Sequence, residues 1–383
     1  MVSASEVVNV LVDEGVGLFT GVPDSLLSSL SLALDSRSDV KHLAAPNEGA
    51  AMAVAMGHFL DTGLVSVVYM QNSGLGNAVN PIASLLHEKV YSVPALLIVG
   101  WRGQCPDADE PQHRVQGPLT LPLLNQLGVS TRIMTKDCDG VAVLREALAE
   151  AREYSRPCAV VVEASAMTGP KPVMRGDPSL MLRVDLIRLV RETVGRETVI
   201  VSTTGKTSRE LEVVESQLPT HPIFLTVGGM GHASSIALGM SISETRRSVI
   251  CLDGDGAMQM HMGALAMIGF EQPSRFVHVL VENGVHESVG GQALANPGVD
   301  YVSVALACGY ASATAVHQPR EVVDNLQRAI RTPGPHLLVV RTRPGSDPDL
   351  PRPVASPRER VKDLKVMLQT SLGEVHGDPS LHP

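Results

Sequence analysis

Ser248-Val-Ile-Cys-Leu-Asp-Gly-Asp-Gly-Ala257 and Phe276-Val-His-Val-Leu-Val-Glu-Asn-Gly-Val285 are two apolar runs, each stopped by a glycine turn. Neither alternates polar with apolar side chains, so each reads as a strand buried on both faces of a parallel sheet. The stretch between them is long enough for one crossover helix. Asp255 and Asn283 then emerge together at strand carboxyl ends, where open α/β folds bind ligands. Magnesium takes about six oxygens at ~2.0–2.1 Å, one or two from side chains and the rest from phosphate, water or backbone. Asp255 offers a carboxylate, Asn283 an amide oxygen and Val285 its carbonyl. Gly254 and Gly256 let a diphosphate approach backbone N–H groups near a helix start. Alone, Gly-Asp-Gly is more often a surface turn. Closing one apolar strand, with Asn-Gly closing the next, it points to a metal–diphosphate site.

The same rhythm runs outward in both directions. Apolar runs at 17–22, 41–45, 65–70, 95–101 and 159–163 alternate with helical stretches at 5–14, 25–35, 48–61, 76–86 and 141–154. The second half repeats this, with strands at 198–202, 223–227, 248–252, 276–281 and 336–341. Its helices are expected at 184–194, 208–217, 232–244, 263–269 and 320–331. The expected fold is α/β, with two doubly wound parallel-sheet domains and no middle domain. Its 383 residues exceed one ordinary core and suit two domains of ~150 each. The boundaries fall at 1–165, a linker at 166–183 containing Gly-Pro-Lys-Pro, a second domain at 184–345 and a Pro-rich tail at 346–383. A charged helix is expected over 357–370, followed by a frayed end.

Hydrophobic residues make up 44% and aromatics only 3%, so aliphatic side chains must fill both cores. Lys plus Arg is 31 against 40 Asp plus Glu, a net charge of −9. That balance argues against a nucleic-acid partner and against an anionic membrane surface. No segment reaches the ~20 apolar residues of a membrane span. The start of the chain lacks the basic-then-apolar pattern of a signal peptide. The five cysteines are odd in number and scattered, without a CxxC pair. They read as reduced thiols of a cytoplasmic protein and not as a zinc site.

The Gly-Asp-Gly and Asn pair resembles the magnesium–diphosphate motif of the thiamine diphosphate enzymes. Ala45-Pro-Asn-Glu-Gly-Ala-Ala-Met52 extends the likeness by setting Glu48 early in a helix after a strand. In that family such a glutamate hydrogen-bonds N1′ of the aminopyrimidine. Thr226-Val-Gly-Gly-Met-Gly-His232 is similar to the family's glycine-rich turn. The resemblance implies Met230 as the apolar wedge that bends the cofactor, with the Gly228 carbonyl facing its 4′-amino group. It implies thiamine diphosphate and Mg²⁺ as cofactors, with Asp255, Asn283 and Val285 on the metal.

The absence of a third domain resembles the compact branch of 2-oxo-acid decarboxylases that acts on phosphonopyruvate and sulfopyruvate. Gly21-Val-Pro-Asp-Ser-Leu-Leu27, Tyr69-Met-Gln-Asn-Ser-Gly-Leu-Gly-Asn77, Asp109-Glu-Pro-Gln-His113, Thr203-Thr-Gly-Lys-Thr-Ser-Arg-Glu-Leu211 and Ser288-Val-Gly-Gly-Gln292 carry this likeness. Glu287 departs from it where Asp is expected, and Val285 where Ala is common. The implied reaction takes 3-phosphonopyruvate to phosphonoacetaldehyde and CO₂ through an ylid and an enamine, in phosphonate natural-product biosynthesis. Such a substrate carries a second strong anion, so a net-negative chain needs local cations. Candidates are Arg102, His113 and Arg114 in the first domain and Lys206 and Arg209 in the second, Lys206 first because it sits at a helix start in a Thr-rich turn. A solvated surface charge is the plain alternative for each. His113 and His286 are candidates for moving protons. Asp24 and Ser25 stand at the first strand's end, with Gln71 and Asn72 as neutral donors. In this family the two halves of a site come from different chains, which implies at least a homodimer. Sulfopyruvate decarboxylation and a non-catalytic, cofactor-binding subunit stay open as alternatives.

Overall fold

Val67 and Tyr69 enter one layer of buried aliphatic side chains, and Val68 and Met70 enter another. This is the side-chain alternation of a strand covered on both faces. In the second half, Ile250 and Leu252 enter one layer and Val249 and Cys251 the other. The computed structural model describes residues 1–105, 109–170, 174, 176–218, 221–243, 247–352 and 355–375. Its contacts divide the chain into two units, Met1–Met174 with Val285–Pro297, and Arg175–Gly284 with Gly298–Pro383.

The first unit holds a six-stranded sheet of β1 (Leu18–Gly21), β2 (His42–Ala44), β3 (Ser66–Gln71), β4 (Ala95–Gly100), β5 (Ser130–Met134) and β6 (Pro157–Val162). The strands are parallel, in the order β2-β1-β3-β4-β6-β5. One face is covered by α1 (Ala4–Asp13), α2 (Ser28–Asp35) and α6 (Gly140–Tyr154), the other by α3 (Glu48–Thr62), α4 (Leu75–Pro81) and α5 (Pro111–Gln126). The second unit repeats the topology with β7 (Val199–Ser202), β8 (Ile223–Leu225), β9 (Val249–Gly254), β10 (Phe276–Glu282), β11 (Ser312–Val316) and β12 (His336–Arg341), in the order β8-β7-β9-β10-β12-β11. Its helices are α7 (Arg183–Thr193), α8 (Lys206–Ser216), α9 (Ala233–Ser241), α10 (Asp255–Met260), α11 (Ala264–Glu271), α12 (Tyr301–Ala307) and α13 (Pro319–Arg331). Both sheets are doubly wound, as expected from the buried strand pattern.

Two fully buried ion pairs tie α7 to α8. Arg183 grips Glu210 through two hydrogen bonds of 2.8 and 2.9 Å. Arg191 grips Glu215, which also accepts the His221 backbone N–H. Arg–carboxylate forks of this kind keep buried charges satisfied.

The structure departs from the sequence reading in three places. The first is the edges: β5 and β11 flank their sheets and are partly exposed, with Thr, Ser and Arg among their residues, so they lack an apolar run. The second is α5, which forms despite Pro118 and Pro122 inside it. Trp101 Nε1 donates to its Gly117 carbonyl at 3.0 Å, and Gly103 and Gly117 touch backbone to backbone.

The third is the domain boundary. Met167–Thr168, in the expected linker, pairs in parallel with Val2–Ser3 of the first unit. Leu182, at its other end, bridges to Arg343 of the second. Val285–Pro297 groups with the first unit, where Gln292–Ala293 lies against α2, and Val285–His286 and Gln292–Ala293 form a small antiparallel hairpin. Residues 171–173 and 175 of the linker, 353–354 of the tail and 376–383 lie outside the described residues. The tail helix α14 (Pro357–Val375) folds back on its own unit, and Arg360 pairs with Glu212. Among the described residues no helix is long and apolar enough to cross a membrane.

Candidate active site

Asn47 caps α3 by accepting the Ala50 N–H at 2.9 Å, which makes Glu48 the first helical residue. Glu48 is 4% exposed. Its Oε2 accepts from Asn77 Nδ2 at 2.8 Å, and Gly74 lies so close that an added Cβ would sit 2.1 Å from Oε1. Burial raises the Glu48 carboxyl above the ordinary carboxylate range, and the Asn77 hydrogen bond opposes it only in part.

Other polar groups of this unit gather at the carboxyl ends of β1, β3 and β4. Asp24 is fully buried and accepts the Leu26 and Leu27 N–H groups at 3.1 and 3.2 Å. Gln71 Nε2 donates to its other oxygen, and burial raises its carboxyl. Arg102 forks onto Asp109, which holds the Asp109 carboxyl well below its usual range, and reaches Ser25 Oγ at 3.2 Å. His113 is buried with Nδ1 lacking a partner; burial, then the Arg102 charge, lowers its imidazole. Arg114 is exposed and donates to the Asp109 carbonyl.

Gln71 and Asn72, expected as neutral donors, both bond to protein groups. Gln71 Oε1 accepts from Ser73 while its nitrogen holds Asp24. Asn72 donates to the Arg102 carbonyl and to Thr120 Oγ1, both at 2.9 Å, and accepts the Arg102 N–H at 3.1 Å. Both amides are thus engaged by the protein, Gln71 with Asp24 and Ser73 and Asn72 with Arg102 and Thr120.

In the second unit, Asp255 begins α10 directly after β9. It is 3% exposed, and its hydrogen-bond partners are all backbone N–H groups: Gly256 at 2.8 Å, Asn283 at 2.9 Å and Gly284 at 2.7 Å. Burial pushes its carboxyl up to about 6, the three N–H groups pulling the other way. Gly284 turns the chain after Asn283 with φ 74. Val285 and His286 follow in the hairpin of the first unit, and burial lowers the His286 imidazole to about 4.

The 226–232 turn takes positive φ at Gly228, Gly229 and Gly231, with values of 71, 54 and 86 that side-chain-bearing residues rarely adopt. The Gly228 N–H donates to Thr204 Oγ1 at 3.0 Å. Met230 is half-buried between these glycines, and His232 stacks on His261 with ring centroids 4.3 Å apart. A cleft of about 370 Å³ runs along the turn, with Arg360 and Val361 of α14 on its far wall. Lys206 opens α8 after Gly205, half-buried. Arg209 instead donates to the Leu350 and Pro351 carbonyls, so it anchors the tail.

The N-terminal TPP binding domain of thiamine pyrophosphate enzymes matches residues 1–120, and the C-terminal TPP binding domain matches 204–340. A phosphonopyruvate decarboxylase of Streptomyces viridochromogenes is 35% identical, covering 97% of this chain and 96% of its own. The chain belongs to the phosphonopyruvate decarboxylase family. A family member from Streptomyces hygroscopicus is 36% identical over 95% of this chain and 94% of its own. A sulfopyruvate decarboxylase of Methanosarcina acetivorans is 25% identical over 95% and 97%.

The residues of this family member fit its cofactor class. A buried carboxylate whose partners are all N–H dipoles is what a divalent ion would neutralise. At the ends of β7 and β8, the Thr203 and Thr226 hydroxyls are buried without partners, Thr203 next to Gly254. Sequence reasoning missed Asn77, Gly74, Thr204 and Asp109 as supports of Glu48, Gly228 and Arg102. Asn77 and Gly74 lie inside a string already quoted, but only the fold brings them against Glu48.

Proposed function

We propose that this chain decarboxylates 3-phosphonopyruvate to phosphonoacetaldehyde and CO₂, with thiamine diphosphate and Mg²⁺, in phosphonate biosynthesis. The observation that carries the reading is the pair of built sites, buried Glu48 at the start of α3 and the Asp255–Asn283 turn, within a chain of this family. Thiamine diphosphate, when bound, supplies the nucleophilic carbon and the electron sink. Glu48, protonated more readily than a free carboxylate, holds or releases a proton toward the aminopyrimidine. Asp255, the Asn283 side chain and the Val285 carbonyl hold Mg²⁺. Gly254 and Gly256 let the diphosphate close on the α10 start, and the 228–231 turn takes the other end of the cofactor beside Met230.

Lys206 is the first candidate cation for the phosphonate and Arg102 the second, Asp24 and Ser25 line the pocket, and His113 and His286 move protons or orient the reacting carboxylate. Glu48 of one chain works with Asp255 of a second copy, so the active unit is at least a homodimer. The cysteines, all free among the described residues, suit a cytoplasmic enzyme.

The test is aldehyde release by purified protein from phosphonopyruvate and from sulfopyruvate, with and without thiamine diphosphate and Mg²⁺. Turnover of phosphonopyruvate that needs both cofactors is expected. Efficient turnover of sulfopyruvate alone moves the substrate to the sulfonate, and no turnover of either leaves a cofactor-binding subunit.

A further inference from the structure

The face of the second sheet that packs on α9, α11 and α12 is apolar except at one place. Cys251 and Asp253 on β9 and His278 on β10 bring their donor atoms within 4.8 Å of one another. All three are 0% exposed, and Cys251 and His278 are partners in register. His278 Nε2 lies 3.4 Å from Asp253 Oδ2, within ion-pair reach but without hydrogen-bond geometry, and neither atom has a hydrogen-bond partner. On the ring's other side, Nδ1 meets Tyr310 Oη at 3.2 Å, itself 4% exposed.

Burying a carboxylate and an imidazole in a hydrocarbon layer is costly unless something uses them. The remaining Asp253 oxygen, Oδ1, accepts the Gly254 N–H at 2.9 Å. That N–H belongs to the turn that presents Asp255. One tautomer suits both neighbours: Tyr310 O–H donates to Nδ1, which leaves the ring proton on Nε2, the nitrogen on the Asp253 side.

We propose that His278 is a positioning residue for the metal–diphosphate turn, acting through Asp253. The proposal rests on the cofactor reading above. His278 touches no cofactor. It fixes the Asp253 carboxylate, which fixes the Gly254 peptide and hence where Asp255 stands. Outer-shell partners of this kind are worth about 10–100-fold in metal affinity. A metal ion within the Cys251–Asp253–His278 cluster is the competing reading. It needs a thiolate, and burial pushes the Cys251 thiol the other way.

Titration calorimetry of Mg²⁺ into full-length protein at fixed thiamine diphosphate tests this, alongside elemental analysis for zinc. His278→Leu is expected to weaken Mg²⁺ binding about 10–100-fold. With both cofactors saturating it should keep kcat within about threefold of wild type, so the loss falls on the metal and not on the chemistry. His278→Gln restores an N–H near Nε2 and should recover most of the affinity. Tyr310→Phe, which removes one hydroxyl, should fall between them and decides the matter if the leucine variant does not fold. Equal Mg²⁺ affinity in wild type, His278→Leu and Tyr310→Phe overturns the inference. So does stoichiometric zinc in the purified protein that is lost with His278. A wild-type chain that binds no Mg²⁺ with thiamine diphosphate overturns the cofactor reading itself.

Discussion

One carboxylate oxygen, Asp255 Oδ2, accepts the backbone N–H groups of both Asn283 and Gly284, at 2.9 and 2.7 Å. The carboxyl ends of β9 and β10 are thereby tied before any ion arrives. Asp255→Ala removes both that tie and the proposed metal ligand. Calorimetry should show Mg²⁺-dependent thiamine diphosphate binding weakened by at least ~100-fold, at or beyond the outer-shell range. Unchanged affinity would place the metal elsewhere.

Glu48 gives a prediction whose sign depends on pH. Its carboxyl is raised in the folded chain, so ionised Glu48 disfavours folding. That penalty is absent below the unfolded carboxylate pKa, grows as pH rises through the folded value and is complete above it. Glu48→Gln keeps a carbonyl for Asn77 and removes the charge. The cofactor-free variant should therefore melt higher than wild type at pH 8, with the gap closing by pH 4. Turnover should drop by about 10²–10⁴-fold, the usual worth of a proton-transfer group. A variant that melts lower at pH 8 contradicts this account of Glu48.

Gly74→Ala would set a methyl group 2.1 Å from Glu48 Oε1. The carboxylate is the movable end of that contact, so it swings aside while the backbone stays. Activity should fall more than ~10-fold with only a small loss in melting temperature. Equal loss of both would mean that the helices themselves separate.

The cations separate by what already holds them. Arg102→Ala should raise KM for phosphonopyruvate at least ~10-fold, the low end for a hydrogen bond to a charged group. Arg209→Ala should leave KM within about twofold and make the tail more open to trypsin, since Arg209 grips the Leu350 and Pro351 carbonyls. Kinetics and limited proteolysis of the same two variants check both halves.

Glu210→Ala removes the carboxylate from a buried Arg183–Glu210 fork. Denaturant unfolding should show a loss of about 3–5 kcal/mol, whereas exchanging both partners for aliphatic residues should cost far less.

Both buried sheets and the Asp255–Asn283 turn are legible in the sequence because apolar runs and glycine stops are local signals. Partly exposed β5 and β11 are not, because an edge strand needs no apolar run and takes its hydrogen bonds from a neighbour far along the chain. Helix α5 is hidden by Pro118 and Pro122, whose local penalty is outweighed by contacts to Trp101 and Asn72. The Asn72 and Gln71 amides look available on paper. Only the fold brings Thr120, Arg102 and Asp24 to them.

Each sheet takes all six of its strands from its own unit. A chain severed near residue 174 would give two pieces, each with all six of its strands. The second piece would still carry 285–297, which seats with the first. Two separately expressed genes could thus encode this fold, provided their products meet again to house that hairpin.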